Sequence, residues 1–368
     1  MSDAPELRDP RAIAGLIREI GSLAAAVGRP VTFMEVCGTH THAVAAAGLR
    51  RMLPDGVRLI SGPGCPVCVT PVEYLDRALA LAELDSTTVC TFGDLMRVPS
   101  SLSSLERAHA EGRPIEIVYS PRDAISLART NSAQRVVFLA VGFETTAPTI
   151  AAALAEAEDD GIDNFLILPG NKVMPPPMRA LVEDRELKVD GFLLPGHVSV
   201  LTGWECFRFL AEDYHVPGAV VGFAPADVMR GVADLLRQVR DGRAEISNLY
   251  GRVVSARGNA VAARMVERFF EPVATGWRGF GEIPDSGLGL RDRYAHRDAG
   301  RIEVALPDPH EPAGCACGDV LRGVIDPPQC ALFGTVCQPT NPVGACMVSS
   351  EGTCAAWFRH DRLTGVAS

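Results

Sequence analysis

Eight short runs rich in β-branched residues, each closing in a loop with glycine or proline, constrain this chain most. They cover residues 31–36, 58–61, 87–92, 115–119, 135–141, 164–168, 191–194 and 219–223. Helical patterns stand between most of them, for example over 71–84 and 146–158. Alternation of apolar strands with helices predicts parallel α/β sheets. Domain size favours two sheets of about four strands, dividing near residue 130, over one sheet of eight.

Around this core the spacing predicts four segments. Asp9 and Pro10 read as a helix cap and first helical position, Ile13, Leu16, Ile17, Ile20 and Leu23 recur at helical spacing, and Gly28 stops the run. Residues 1–28 are therefore an N-terminal helix. Residues 29–130 and 131–225 are the two α/β domains, and 226–368 is helical and irregular. In the last segment a helix is expected over 225–239, Asn259 caps another that Pro272 ends, and the glycine-rich 276–291 reads as a loop.

The unusual residues follow the strands. CGTHTH comes after the first and GPGCPVC after the second; FGDLMRVP, GFETTAP, PGNKVMPPP, PGHVS and GFAPAD follow later ones. Ligands of open α/β sheets bind at the carboxyl ends of the strands, so these loops belong on the functional side.

Thiols dominate the chemistry. Cys315, Cys330, Cys337 and Cys354 follow C-x14-C-x6-C-x16-C in a segment crowded with Gly and Pro. Four thiolates can hold a [4Fe–4S] cluster or zinc, and gaps this wide suit a cluster better than the close pairs of zinc sites. Cys317 and Cys346 lie in the same segment and are possible substitutes. Ordinary buried thiols are the plain alternative. Cys65 and Cys68 form a C-x-x-C pair, which brings two sulfurs within disulfide reach and can lower one thiol's pKa; a tight turn with incidental thiols is the other reading. Cys37 follows a strand and precedes Gly38, which places it exposed at a sheet edge. His40 and His42 stand nearby, able to lower the Cys37 pKa, to join a metal site, or simply to anchor the loop by backbone hydrogen bonds.

Weaker candidates are Glu144, as a ligand contact or a helix-start carboxylate, and Thr145 and Thr146 as caps. His197 and Asn171–Lys172 are ligand contacts or loop anchors, Glu351 tunes the cluster or is a solvated charge, and Cys90 and Cys206 read as core. A formal net charge of −10 argues against a nucleic-acid partner. No run approaches the ~18 apolar residues of a membrane span, and the start of the chain lacks a signal-peptide pattern, so a cytoplasmic location is expected. In that compartment clustered cysteines serve metals or redox chemistry. No Walker-type phosphate loop and no C-x3-C-x2-C is found, so neither ATP use nor radical adenosylmethionine chemistry is indicated.

The strings MEVCGTHTHA, SGPGCPVCVTP, TFGDLMRVP, VGFETTAPT, LPGHVS and CMVSSEGTCAAW together resemble the hydrogenase maturation factor HypD family, over about residues 8–360. The resemblance implies two similar parallel-sheet α/β domains plus a smaller, irregular iron–sulfur domain. It implies a redox-active scaffold in [NiFe]-hydrogenase maturation, on which the Fe(CN)2CO group is assembled with the chaperone HypC, using cyanide from the thiocyanate-bearing carrier HypE. Carried onto this chain, Cys37 binds the nascent Fe(II) with its CN and CO ligands, and Cys65 and Cys68 form a redox-switching pair. Cys330, Cys337 and Cys354, with Cys315 as the chosen fourth, hold one [4Fe–4S] cluster. His40 and Glu351 join Cys37, Cys65 and Cys68 as candidate reactive-site residues. Such a protein is a scaffold in a reductive transfer rather than a clear free-standing catalyst. The rival readings are a free-standing iron–sulfur thiol–disulfide oxidoreductase and a zinc-stabilised interaction protein.

Overall fold

A computed structural model describes Leu7 and residues 9–361. All eight runs form strands, in two parallel sheets. The first sheet contains β1 (Val31–Glu35), β2 (Val57–Ser61), β7 (Gly191–Pro195), β8 (Gly218–Val221) and β9 (Ile246–Asn248), in the order β2-β1-β7-β8-β9. The second contains β3 (Thr87–Thr91), β4 (Ile115–Ile117), β5 (Arg135–Gly142) and β6 (Phe165–Asn171), in the order β4-β3-β5-β6.

The predicted division into 29–130 and 131–225 is not the one the strands make. β1 pairs with β7 in the register Phe33↔Gly191, so the chain leaves the first sheet after β2, builds the second, and returns. Gly191 makes this return close: a Cβ there would stand 3.1 Å from the Pro217 carbonyl and 3.3 Å from the Phe33 ring. Both sheets reverse direction in the same way, the first between β1 and β7 and the second between β3 and β5. A reversal of strand order leaves a crevice at the carboxyl ends, the standard ligand position of such sheets. The residues at the first crevice are Cys37 and His197, and at the second Asp94 and Glu144.

The opening helix, Pro10–Val27, forms as the sequence predicts, with the Asp9 side chain accepting from the Arg11 N–H and Gly28 closing it at φ 71°. Its Ile20 and Leu23 pack with Val228, Leu235 and Leu236 of helix Pro225–Arg240 over the first sheet. Each such fully buried aliphatic side chain contributes about 1.5–3 kcal/mol. The second sheet carries its own core, in which Phe138, Ile150, Leu154 and Phe165 meet Phe269 and Tyr294. A third core joins both sheets to the cysteine-rich segment through Val67, Val69, Val141, Trp277, Leu321 and Val348.

Asn259 caps helix Ala260–Phe269 through hydrogen bonds from Val261 and Ala262. Pro272 does not end it. Phe270 already begins β10 (Phe270–Trp277), which pairs antiparallel with β11 (Gly281–Leu290), so the predicted loop is a hairpin. Its glycines have a packing role: a Cβ on Gly287 would meet Thr275 at 2.8 Å, and one on Gly289 would meet Val273 at 2.7 Å.

Candidate functional site

The CGTHTH stretch is not a loop. Cys37 sits at the start of helix Gly38–Ala46, and Thr41 returns its hydroxyl to Glu35 at 2.7 Å. Cys37 is not exposed either; it is 8% accessible. Burial pushes its thiol up to about 12, against the pull of the His40 backbone N–H. Two glycines make this enclosure possible. A Cβ on Gly64 would stand 2.3 Å from the Cys37 nitrogen, and one on Gly38 would stand 2.6 Å from Glu351 Cβ. The Gly38 N–H donates to the Gly64 carbonyl at 2.7 Å, so the GPGCPVC loop lies directly on the Cys37 turn.

Glu351 belongs to this turn. Thr39 donates its hydroxyl to Glu351 Oε1 at 2.7 Å, and the Glu351 charge raises the Cys37 thiol further. Asp94, from the second sheet, lies close enough for Glu351 to help raise its pKa, after burial as the larger cause. The carboxyl ends of the two sheets therefore face one another across Glu351.

The His40 imidazole is turned to the first sheet. Its Nε2 donates to the Gly222 carbonyl at 3.0 Å and its ring lies 4.6 Å from that of Phe223, which stacks on His197 at 4.0 Å. Burial lowers His40 to about 4, so the ring is neutral, and its Nδ1 has no partner. This is the loop-anchor geometry. The His42 ring stands against His360, 5.4 Å between centroids.

Cys65 and Cys68 form a disulfide, with Cα atoms 5.2 Å apart, and Cys65 caps the short helix Pro66–Val69 by accepting from the Cys68 N–H. On its far side Cys68 Sγ lies 4.0 Å from the Ala345 carbonyl oxygen, next to Cys346. All six C-terminal cysteines line one cavity with Phe333, Val320 and Met347. Cys317 and Cys346 are in contact, Sγ to Sγ 2.9 Å. Cys315 fits because Gly344 has no side chain: a Cβ there would be 2.5 Å from its sulfur. The Val343 N–H points at Cys337 Sγ from 3.3 Å. Hydrogen bonds with Cys315 and then Cys346 hold Cys317 well below the ordinary thiol value.

This donor set suits a soft metal centre: sulfur only, enclosed, one thiol biased to thiolate and backbone N–H groups aimed at sulfur. As placed, the sulfurs hydrogen-bond each other, and among the described residues no group of three or more His, Cys, Asp or Glu side chains stands at metal-ligand spacing.

The family model HypD, described as "Hydrogenase formation hypA family", matches residues 11–361. The chain belongs to the HypD family. It is 44% identical to the hydrogenase maturation factor HypD of Rhodobacter capsulatus over 370 residues, covering 98% of each protein. It is 46% identical to that of Rhizobium leguminosarum bv. viciae, over 97% of this chain and 95% of the relative. It is 40% identical to that of Escherichia coli K12, over 96% and 97%.

Four residues that position this HypD-family site escape a reading of motifs. Gly64 and Gly344 act through the absence of a Cβ. Glu35 and Arg50 surround the Cys37 turn: Glu35 is fully buried and Arg50 stands 3.8 Å from it. The available signal was a carboxylate inside the apolar strand 31–36. The remaining candidates lie elsewhere. Glu144 accepts from the Met174 N–H at 2.8 Å, and burial raises it to about 7. Lys172 is buried against Trp277 and donates to the Gly276 carbonyl at 2.7 Å. Thr146 occupies a cap position without a capping bond. Cys90 is core, and Cys206 is half-buried against Thr202. Among the described residues no helix is long and apolar enough to cross a membrane.

Proposed function

We infer that this HypD-family chain is a redox-active scaffold on which the Fe(CN)2CO group of [NiFe]-hydrogenase is built, with a HypC-type chaperone and a HypE-type cyanide carrier, in the cytoplasm. The observation that carries this reading is the continuity of sulfur: Cys37 touches the loop of Cys65 and Cys68, and Cys68 touches the turn of Cys346.

The roles follow from position. Cys37 holds the iron cargo, to which thiolate is a well-matched ligand. Its buried thiol loses the proton when the metal binds, as metal coordination of thiols requires. Glu351 and Asp94 face the same space and limit what charge can enter it. The reduced Cys65/Cys68 pair supplies two electrons to split a thiocyanate S–C bond. The pair becomes the disulfide, cyanide passes to the cargo iron, and the carrier sulfur leaves as a thiol with one of the two protons released. Cys330, Cys337 and Cys354, with Cys315, would hold a [4Fe–4S] cluster. Cys315 is taken as the fourth, with Cys317 and Cys346, whose sulfurs are in contact, as possible substitutes. Such a cluster supplies electrons one at a time.

Cys65→Ala or Cys68→Ala is expected to abolish hydrogenase maturation in a strain lacking the native gene, with the absorbance near 400 nm retained. Normal maturation by either variant rules out the dithiol role.

A further inference from the structure

The turn that carries Cys37 is fastened to the cysteine-rich segment through Glu351 and also through a second set of side chains. That set is built on Glu35 and Arg50. Glu35 ends β1 and is fully buried. Its Oε2 accepts the Cys37 N–H at 3.3 Å, and its Oε1 accepts the Thr41 hydroxyl at 2.7 Å. Arg50 reaches the same carboxylate at 3.8 Å. The guanidinium also donates to Ser61 Oγ at 2.8 Å, at the mouth of the GPGCPVC loop, and to the Leu59 carbonyl at 3.2 Å. Its other edge meets Asp361 at 3.4 Å, and its face lies 5.3 Å from the Trp357 ring. Trp357 and Asp361 follow Cys354 in the chain. One buried ion pair therefore ties together the Cys37 turn, the strand that leads to Cys65, and the segment that leaves the last cysteine.

A surface ion pair in this position would contribute little. A buried one whose carboxylate also accepts the Cys37 N–H and the Thr41 hydroxyl is a fixed-geometry device, and removing one partner leaves the other buried without its counterpart. Arg is the residue suited to this role, because its planar fork bonds several acceptors at once.

We propose that Glu35 and Arg50 are positioning residues that lock the Cys37 thiol against the cysteine-rich segment, so that Cys37 is held closed while that segment is folded around its own thiols. The proposal deepens the role given to Cys37 above, but it is read without hydrogenase: it concerns how Cys37 is held, whatever Cys37 binds.

The test is alkylation of the anaerobically purified full chain with iodoacetamide, followed site by site by mass spectrometry, for wild type, Glu35→Gln and Arg50→Met. Gln can replace one acceptor of Glu35 but not both, and it presents an N–H to Arg50. In both variants Cys37 is expected to react about tenfold faster or more, the effect of losing roughly one net hydrogen bond from the closed state. Absorbance near 400 nm and the rates at Cys90 and Cys206 are expected to stay at wild-type values. Unchanged Cys37 reactivity in a folded Glu35→Gln protein overturns the proposal. So does a rise at Cys37 matched by equal rises at Cys90 and Cys206, because that outcome is general loosening. Should Arg50→Met fail to fold, Glu35→Gln with Arg50→Lys decides by the same criteria. Failure of the scaffold reading shows itself differently, as Cys37→Ala protein that still matures hydrogenase.

Discussion

Gly64→Ala tests the junction between the two thiol sites with a single methyl group. The Gly64 backbone lies outside the left-handed region, so alanine adds no conformational strain there. All three nearest neighbours of the new Cβ are backbone atoms of Cys37, at 2.3, 2.4 and 2.6 Å. Backbone cannot rotate away as a side chain does. Restoring ordinary contact near 3.4 Å needs the two segments to part by about 1 Å. The Gly38 N–H to Gly64 carbonyl bond, now 2.7 Å, would stretch beyond hydrogen-bond range. Overpacking costs about 1–3 kcal/mol and the lost bond about 1 kcal/mol, so the closed junction should weaken by about 2–4 kcal/mol. The chain has several cores and is not expected to melt as one unit, so the local effect is best read functionally. The expected result is protein with wild-type absorbance near 400 nm, a faster-alkylating Cys37 and hydrogenase maturation lowered by tenfold or more. Gly21→Ala serves as the control. It lies in the opening helix with nothing within 4 Å of a new Cβ, and should stabilise by about 0.5–1 kcal/mol. A Gly64→Ala protein that matures hydrogenase like wild type would refute the reasoning that Cys37 and the Cys65/Cys68 loop act in contact.

Three further outcomes follow from the same structure. Gly344→Ala places a Cβ 2.5 Å from Cys315 Sγ and should displace that sulfur, seen as a loss of bound iron and of absorbance near 400 nm. Glu144 is held up at about 7 from an ordinary 4.5, first by burial and against the Met174 N–H. Its folded pKa lies above the unfolded one, so its contribution is fully present below about pH 4.5 and is lost as pH rises through about 7, a span of about 3 kcal/mol. Glu144→Gln should remove that slope, seen as a smaller difference between apparent urea midpoints at pH 5 and pH 8. Arg297, 2% accessible, binds Glu158 and the carbonyls of Ile162 and Phe165, so Arg297→Ala should cost about 3–5 kcal/mol and lower the melting temperature clearly.

The eight strands were legible because a parallel strand is buried on both faces and must be a continuous apolar run. Their partners were not. β1 and β7 read like any other pair of runs, and nothing local shows that β1 pairs with a strand whose first residue, Gly191, lies 156 positions beyond Glu35. The short β9, with the polar sequence ISN, gave no signal. The hairpin of β10 and β11 was hidden by glycines that usually mark loops but here make room for Thr275 and Val273. At the site, the residue types were legible because thiols and glycines are rare enough to stand out in clusters. The burial of Cys37 was not, because its cover comes from Glu351, more than 300 positions away. Glu351 was read beside Cys354, its neighbour in sequence, whereas the fold turns its carboxylate to Thr39 and Cys37. His40 offered a metal ligand and an anchor in sequence, and Gly222 engages the nitrogen that makes it an anchor.

The most direct test is iron and acid-labile sulfide analysis of the anaerobically purified chain, repeated on single Cys→Ala variants. About four of each per chain are expected. They should persist in Cys37→Ala, Cys65→Ala and Cys68→Ala, and be lost in Cys315→Ala, Cys330→Ala, Cys337→Ala and Cys354→Ala. A wild-type protein that stays colourless and iron-free after reconstitution, or a cluster that depends on the upstream three thiols, would contradict the account.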